Sequence, residues 1–362
     1  ATAAVALSFG LASCGGGGEN DDKARTLHIG NTSEPLSLDP HQASGTWENR
    51  IIGDMLMGLT TEDSKGLPIP GMATEWTTST DGLVWTFKLR DAKWSDGVPV
   101  TANDFVYAWQ RLMTLKPPAK YASLLYVIRN AENIYDGRIK DVTQLGVKAL
   151  DAKTLVVTLA HPAPYLPGLL KHYTAFPIPK HIVEKFGNGW IKAENFVGNG
   201  PYKLVQWKPN DFIHVTRNTN FWDNANVCLN QIYYYPTTDE TAAERRVRTG
   251  DLDINTNFLG SRLDEINKNL PGYPRVHGYT GLTYILFNMR KAPYTDARVR
   301  EALSLSVDRE FITKEILKGG QQPAYSLVPP GIAQYETGKM HVDFKGQPME
   351  ARLARAKKLL EE

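Results

Sequence analysis

An α/β fold in more than one domain is predicted from three observations. The chain has 362 residues, more than one compact core holds. Apolar alternation of period two marks strands, and stripes of period 3.6 mark helices between them. These segments alternate without a regular βαβ repeat and without any repeat of solenoid length. Apolar residues make up 42% and charged residues 22%, the balance of a folded soluble protein. A net charge of +2, from 41 basic and 39 acidic residues, supplies no basic stripe, so no nucleic-acid partner is expected. The eight Trp and sixteen Tyr are read chiefly as core, with a ligand-facing aromatic surface as the alternative.

The first element is an address. Residues 1–13 are apolar, small and uncharged, too short to span a bilayer but suited to the apolar part of a secretory signal. With no starting Met and no basic leader, the first residues of the precursor are expected to be missing. Leu11-Ala12-Ser13-Cys14 resembles a bacterial lipobox, which implies a lipid on Cys14 as membrane anchor. Residues 15–23 begin with four glycines followed by small polar and acidic residues that cannot pack, so they read as a flexible tether. Anchor, tether and body place the protein outside the cytoplasm, in the periplasm or on the cell surface. Cys228, the second of two cysteines, is expected to be an inert buried thiol.

The body opens with a strand at residues 26–30 and a turn at Ser37-Leu38-Asp39-Pro40-His41, where Pro40 biases Asp39 toward an extended backbone. Residues 49–59 carry helical spacing, with Ile52, Leu56 and Leu59 on one side. Leu83, Trp85, Phe87 and Leu89 alternate with polar neighbours in a half-buried strand. Thr101-Ala102-Asn103-Asp104 resembles a capping box and opens a helix with Phe105, Trp109, Leu112 and Met113 on one face. Leu155, Val157 and Leu159 form another strand, ended by Pro162 and Pro164. A helix at residues 181–186, a hairpin from 202–205 and 212–216, a strand at 231–235 and a helix at 242–249 ending at Gly250 follow. Residues 282–288 are apolar and β-prone, and 298–307 form a helix with Val299, Leu303 and Val307 stacked. Residues 349–362 make a strongly charged helix with no C-cap glycine and no closing strand, so the chain is expected to be cut short there.

Four ordered blocks resemble the family-5 extracellular solute-binding proteins, the oligopeptide- and dipeptide-binding components of ABC importers. They are Ser37-Leu38-Asp39-Pro40-His41; Met72-Ala73-Thr74-Glu75-Trp76 through VWTFKLRDAKWSDGVPVTANDFVYAWQRL; Val197-Gly198-Asn199-Gly200-Pro201-Tyr202-Lys203-Leu204 with Arg217-Asn218 and Phe221-Trp222; and Phe287-Asn288 with RVREALSLSVDREFI. YASLLYVIRN, LGVKALDAKTLVVTL and VEKFGNGW are similar to the oligopeptide-binding branch. The resemblance implies a periplasmic-binding-protein-like clamshell of two lobes (type II, cluster C) with an extra inserted domain. Lobe I would hold residues 24–56 and 181–281, the inserted domain 57–180, and an incomplete lobe II 282–362. An extended peptide would lie between the lobes, held through its main chain while water-filled pockets tolerate its side chains. A permease in the membrane would receive it, and the protein would act as a monomer.

The same resemblance implies ligand contacts. Ser44, Gly45 and Thr46 fall on a ligand loop; oligopeptide-binding relatives carry an acidic residue where Ser44 stands, so that charge contact is absent here. An ordinary solvated loop is the other reading. Tyr121 falls on a contacting Tyr, or is a core ring. Asn257 falls beside the cleft. Tyr279, Thr280, Gly281, Thr283 and Tyr284 fall on a crossing strand that pairs with the peptide backbone, or on a buried strand. Gly281 stands where some relatives have a disulfide Cys, so that bridge cannot form. Groups meeting the peptide's two ends would lie past residue 362, so the piece by itself is expected to bind peptide poorly.

Other classes have less support. The eight His are scattered, with no HExxH, GxSxG or Walker pattern, so no enzyme, cofactor or metal is expected. Asp251, Asp253 and Asn255 have calcium-loop spacing, but Thr256 stands where a glycine is needed and Arg262 where a bidentate Glu is needed. The remaining rivals are another solute on the same scaffold (a murein peptide, a nickel complex, haem or a sugar) and a surface adhesin or receptor.

Overall fold

The computed structural model describes residues 25–332, 335 and 341–362. The lipobox, Cys14 and the tether lie outside the described residues. Two compact units are present, Ala1–Asn257 and Phe258–Glu362.

In chain order the first unit contains β1 (Thr26–Gly30), α1 (Thr46–Met55), β2 (Thr60–Glu62), β3 (Pro68–Pro70), β4 (Ala73–Thr78) and β5 (Val84–Leu89). Then come α2 (Ala102–Thr114), β6 (Val147–Asp151), β7 (Thr154–Thr158), α3 (Lys180–Phe186), β8 (Tyr202–Lys208) and β9 (Phe212–Arg217). β10 (Gln231–Tyr235), α4 (Glu240–Thr249) and β11 (Ile254–Asn255) complete it. Shorter helical turns lie between these elements.

Five strands form one mixed sheet in the order β11-β1-β10-β9-β8. β1 runs parallel to both β10 and β11, while β10, β9 and β8 are antiparallel. One face is buried through Ile29, Tyr234, Ile232, Ile213, Val215 and Leu204. The helix α1 supplies buried Ile51, Ile52 and Met55 to the same core, and the Tyr234 hydroxyl donates to Asp54 on that helix. The opposite face carries a cross-strand stack in which His28 and His214 flank Tyr233 at 5.3 and 4.2 Å.

A second sheet, order β4-β5-β7-β6, is antiparallel. The alternation in β5 buries Trp85, Phe87 and Leu89, as its period predicts. The capping box also forms: Asp104 accepts from the Thr101 amide at 2.8 Å and opens α2. Phe105, Trp109, Leu112 and Met113 are all buried, and the Trp109 indole donates to the Ala175 carbonyl at 2.9 Å. From the same helix, half-buried Arg111 reaches back to the first turn of the body. It binds both oxygens of buried Asp39 and donates to His41 Nδ1 at 2.8 Å. Burial pushes the His41 imidazole down to about 4, so it is neutral at pH 7.

The Val-Gly-Asn-Gly-Pro block is pinned to the end of α1, to the residues just after it and to Ser95. Asn199 is buried, accepts from the Met57 amide at 2.9 Å and donates to the Met57 carbonyl at 3.0 Å. Gly200 donates to the Met55 carbonyl and Ser95 to the Gly198 carbonyl. A Cβ at Gly198 would stand 2.2 Å from the Met55 oxygen, so only glycine fits.

In the second unit, α5 (Leu263–Asn269), α6 (Ala297–Ser306) and α7 (Met349–Glu361) are the longer helices. α6 and α7 share a small core of Ala302, Leu305, Phe344 and Ala356. Arg355 on α7 donates to Asp343 at 2.8 Å and pairs with Glu301 on α6. The charge of α7 is thus partly consumed within its unit.

Four expectations are corrected. The helix predicted at 49–59 begins at Thr46 and stops at Met55; Leu56 is extended, and it and Leu59 are buried from non-helical backbone. The apolar stripe predicted on α6 is displaced, because the partner helix meets Ala302 and Leu305 and leaves Leu303 exposed. Residues 282–288 form no strand, since no described strand lies beside them to share a ladder. Cys228 is exposed, following a short turn at Asn224–Asn226 rather than an apolar segment.

Candidate ligand-binding site

The parallel strands β1, β10 and β11 all deliver their carboxyl ends to one edge of the sheet. In open α/β sheets that edge, beyond the strand ends, is where ligands bind. Here it is polar. The Thr32 amide donates to Thr237 Oγ1 at 3.0 Å, and the Thr32 and Thr256 hydroxyls meet at 3.1 Å. Thr256 Oγ1 donates to the Gly30 carbonyl at 2.9 Å, and Thr237 Oγ1 to Asn255 Oδ1 at 3.2 Å. A Cβ on Gly30 would lie 2.2 Å from Asn255 Oδ1, so glycine is what lets that side chain reach the strand end. Asn257 belongs to this edge: its side chain donates to Glu240 and its carbonyl accepts from Asn255.

The loop at residues 44–46 opens α1 and is fixed by one buried carboxylate. Glu48 accepts from the Ser44 and Gly45 amides, each at 2.7 Å, and from the Leu36 amide at 2.8 Å. Position N3 of the helix is where a carboxylate best serves the orphan amides of the first turn. The Asn31 side chain, at the end of β1, donates to the Trp47 carbonyl at 3.1 Å and joins this loop to the sheet edge. Ser44 and Gly45 are half-buried and Thr46 is exposed.

Tyr121 stands over the same loop. Its hydroxyl donates to the Ser44 carbonyl at 3.3 Å, while its ring packs edge-on against His172 and Tyr173 at 5.5 and 6.3 Å. It is 37% exposed, so it is a partly wet ring on a rigid aromatic base, not a core residue. Tyr173 in turn donates to the Ala43 carbonyl at 3.2 Å. Burial pushes His172 down to about 4 and the Tyr173 hydroxyl up, so both rings are neutral at pH 7. Lys120, beside Tyr121, donates to Ser44 Oγ at 2.9 Å.

Ser44, Gly45, Thr46 and Tyr121 are therefore brought together, and Asn257 lies on the adjoining sheet edge. Tyr279, Thr280, Gly281, Thr283 and Tyr284 lie in the second unit, without regular structure. Tyr279 and Tyr284 are 81% and 65% exposed, and the Gly281 amide donates to the Tyr279 carbonyl at 2.9 Å. Among the described residues no group of three or more His, Cys, Asp and Glu is arranged to hold a metal ion. No helix among them is long and apolar enough to cross a membrane.

The family described as bacterial extracellular solute-binding proteins, family 5, middle part, matches residues 68–362. The chain belongs to that family. Among family-5 relatives it is 42% identical to the periplasmic oligopeptide-binding protein OppA of Salmonella typhimurium, covering 100% of this chain and 66% of that protein. It is also 42% identical to the periplasmic murein peptide-binding protein MppA of Escherichia coli, covering 83% of this chain and 56% of the relative. The crystal structure of Haemophilus influenzae OppA in complex with the peptide RPPGFSPFR superposes with a TM-score of 0.87 at 38% identity, over 93% of this chain and 66% of that one. The mixed α/β fold is thus that of the family-5 periplasmic binding proteins, and the chain spans about two thirds or less of the length of these relatives.

Residue reasoning missed Glu48, Asn31, Lys120 and the threonine cluster at Thr32, Thr237 and Thr256. Glu48 left a signal, three residues after Gly45 at a helix start. The threonines come from three distant stretches and meet only through sheet register.

Proposed function

We propose that the chain forms part of an extracytoplasmic solute-binding lipoprotein that captures oligopeptides by main-chain hydrogen bonding and hands them to an ABC import permease. The observation that carries this reading is 42% identity over the whole chain to a periplasmic oligopeptide-binding protein. The polar sheet edge and the loop at Ser44 suit a ligand that presents amides rather than one fixed side chain. The peptide contacts are Ser44, Gly45, Thr46, Tyr121, Asn257, Tyr279, Thr280, Gly281, Thr283 and Tyr284. The last five are exposed and belong to no ladder, which suits a segment that pairs with an extended chain. Lobe I is residues 24–56 and 181–281, with 57–180 an inserted domain and lobe II beginning at 282. Cys14 carries the lipid, and the protein works as a monomer without catalysis; its relatives are solute-binding proteins.

The test is calorimetric titration of the whole gene product, prepared without lipid, with mixed-sequence oligopeptides of three to five residues. Saturable binding of several unrelated sequences is expected; no heat with any of them contradicts the reading. The 42% identity to a murein peptide-binding protein supports a second reading. A murein tripeptide in the same titration decides between them: binding of that ligand with exclusion of ordinary peptides favours the second.

A further inference from the structure

Among the described residues, Lys120 is the exposed cation that contacts the loop at Ser44, and no exposed carboxylate is bonded to that loop. Lys120 is exposed, and one of its three ammonium protons is used on Ser44 Oγ, a neutral acceptor, at 2.9 Å. Among the described residues no carboxylate pairs with it. The carboxylates nearest in the network are already engaged. Glu48 is buried and accepts from the amides of Leu36, Ser37, Ser44 and Gly45. Asp39 is buried against Arg111 at 2.6 Å. The two aromatic neighbours of Tyr121, His172 and Tyr173, add no charge near pH 7. The Lys120 head is also held in place, because the Tyr121 hydroxyl binds the Ser44 carbonyl while Lys120 binds the Ser44 hydroxyl. A cation held beside a candidate ligand loop, with ammonium protons to spare and a neutral hydroxyl as its acceptor, can donate to an incoming anion.

We propose that Lys120 makes the subsite at Ser44 and Tyr121 a reader of carboxylates on the bound peptide. This rests on the peptide-binding reading above and adds a charge preference to it. Ser44 accepts the lysine without neutralising it, so an incoming carboxylate oxygen can take a remaining ammonium proton and form a charge-assisted hydrogen bond. The carboxylate comes either from an acidic side chain or from the peptide's own C-terminus.

The experiment uses the whole gene product without lipid and a set of alanine tetrapeptides with Glu, Gln or Lys at each position in turn, each as free acid and as C-terminal amide. Dissociation constants are compared as ratios. At one position Glu is expected to bind about two- to fivefold tighter than Gln, the range of an exposed ion pair. The ratio should shrink as salt is raised. If the terminal carboxylate is the source, the acid-to-amide ratio carries the preference and the Glu scan is flat. In Lys120→Glu the ranking of the charged ligands should invert; Lys120 is a surface side chain, so this variant is expected to fold. Equal affinities for Glu and Gln, and for acid and amide, while the peptides still bind, would overturn the proposal and leave the peptide-binding reading intact. A preference that survives in Lys120→Glu also overturns it. No binding of any peptide removes both.

Discussion

Asn199 has both ends of its side-chain amide committed to the backbone of Met57, at 2.9 and 3.0 Å, inside the protein. Alanine there would strand the half-buried N–H and C=O of Met57, each costing about 1–3 kcal/mol. Asn199→Ala is therefore expected to lower stability by about 2–5 kcal/mol in urea unfolding, with little effect expected from a change at exposed Thr46. Gly198→Ala meets the Met55 carbonyl and should be similarly severe. The block Val-Gly-Asn-Gly-Pro was legible as a family mark, but its job is structural, and only the three-dimensional approach of Met55 and Met57 reveals that. His41 gives a pH prediction. Burial lowers its folded pKa to about 4 from 6.5, so the unfolded chain binds the proton more readily. Its contribution is complete above pH 6.5 and is lost as pH falls toward 4, about 2 kcal/mol by pH 5. Unfolding at pH 7.5 and 5 should show that loss, and His41→Gln should shrink it; an unchanged difference would contradict the assignment.

At the scale of elements, period and caps were readable where the element's own residues decide its form. β1 and β10 have the bounds that the strand reading put on them, and α2 begins at the Thr101–Asp104 cap. Elements that depend on a partner were not. The buried face of α6 is set by α7, which comes about fifty residues later, so Leu303 could not be ranked against Leu305 from spacing alone. Residues 282–288 have strand chemistry but no described strand beside them, and Leu286 is 84% exposed. If this segment meets the ligand's backbone, its amides should exchange rapidly with solvent in the free protein and slow on adding peptide; exchange unchanged by a bound peptide would remove it from the site. The loop at Ser44 is an element built by one carboxylate. Glu48→Gln replaces an acceptor oxygen with a donor, so the Ser44 and Gly45 amides lose a partner. Faster exchange at those two amides and a loss of about 1–3 kcal/mol are expected.

For the whole molecule, length, composition and the order of four sequence blocks were enough to reach the family, because an α/β fold of this size needs its turns and caps in fixed places. The same sequence could not display the threonine edge, which forms when β1, β10 and β11 line up their carboxyl ends from residues more than two hundred positions apart. That edge and the Ser44 loop are built from backbone and hydroxyl groups, whereas strict side-chain selection needs shaped pockets. The account therefore predicts a protein that recognises the peptide bond itself. The most direct test is titration of the whole gene product with one oligopeptide, with the same peptide N-methylated along its backbone, and with analogues of altered side chains. Affinity should stay within about tenfold across the side-chain series and collapse on N-methylation, since each methyl removes a ladder donor. Affinity indifferent to N-methylation but sharply dependent on side-chain identity would contradict it.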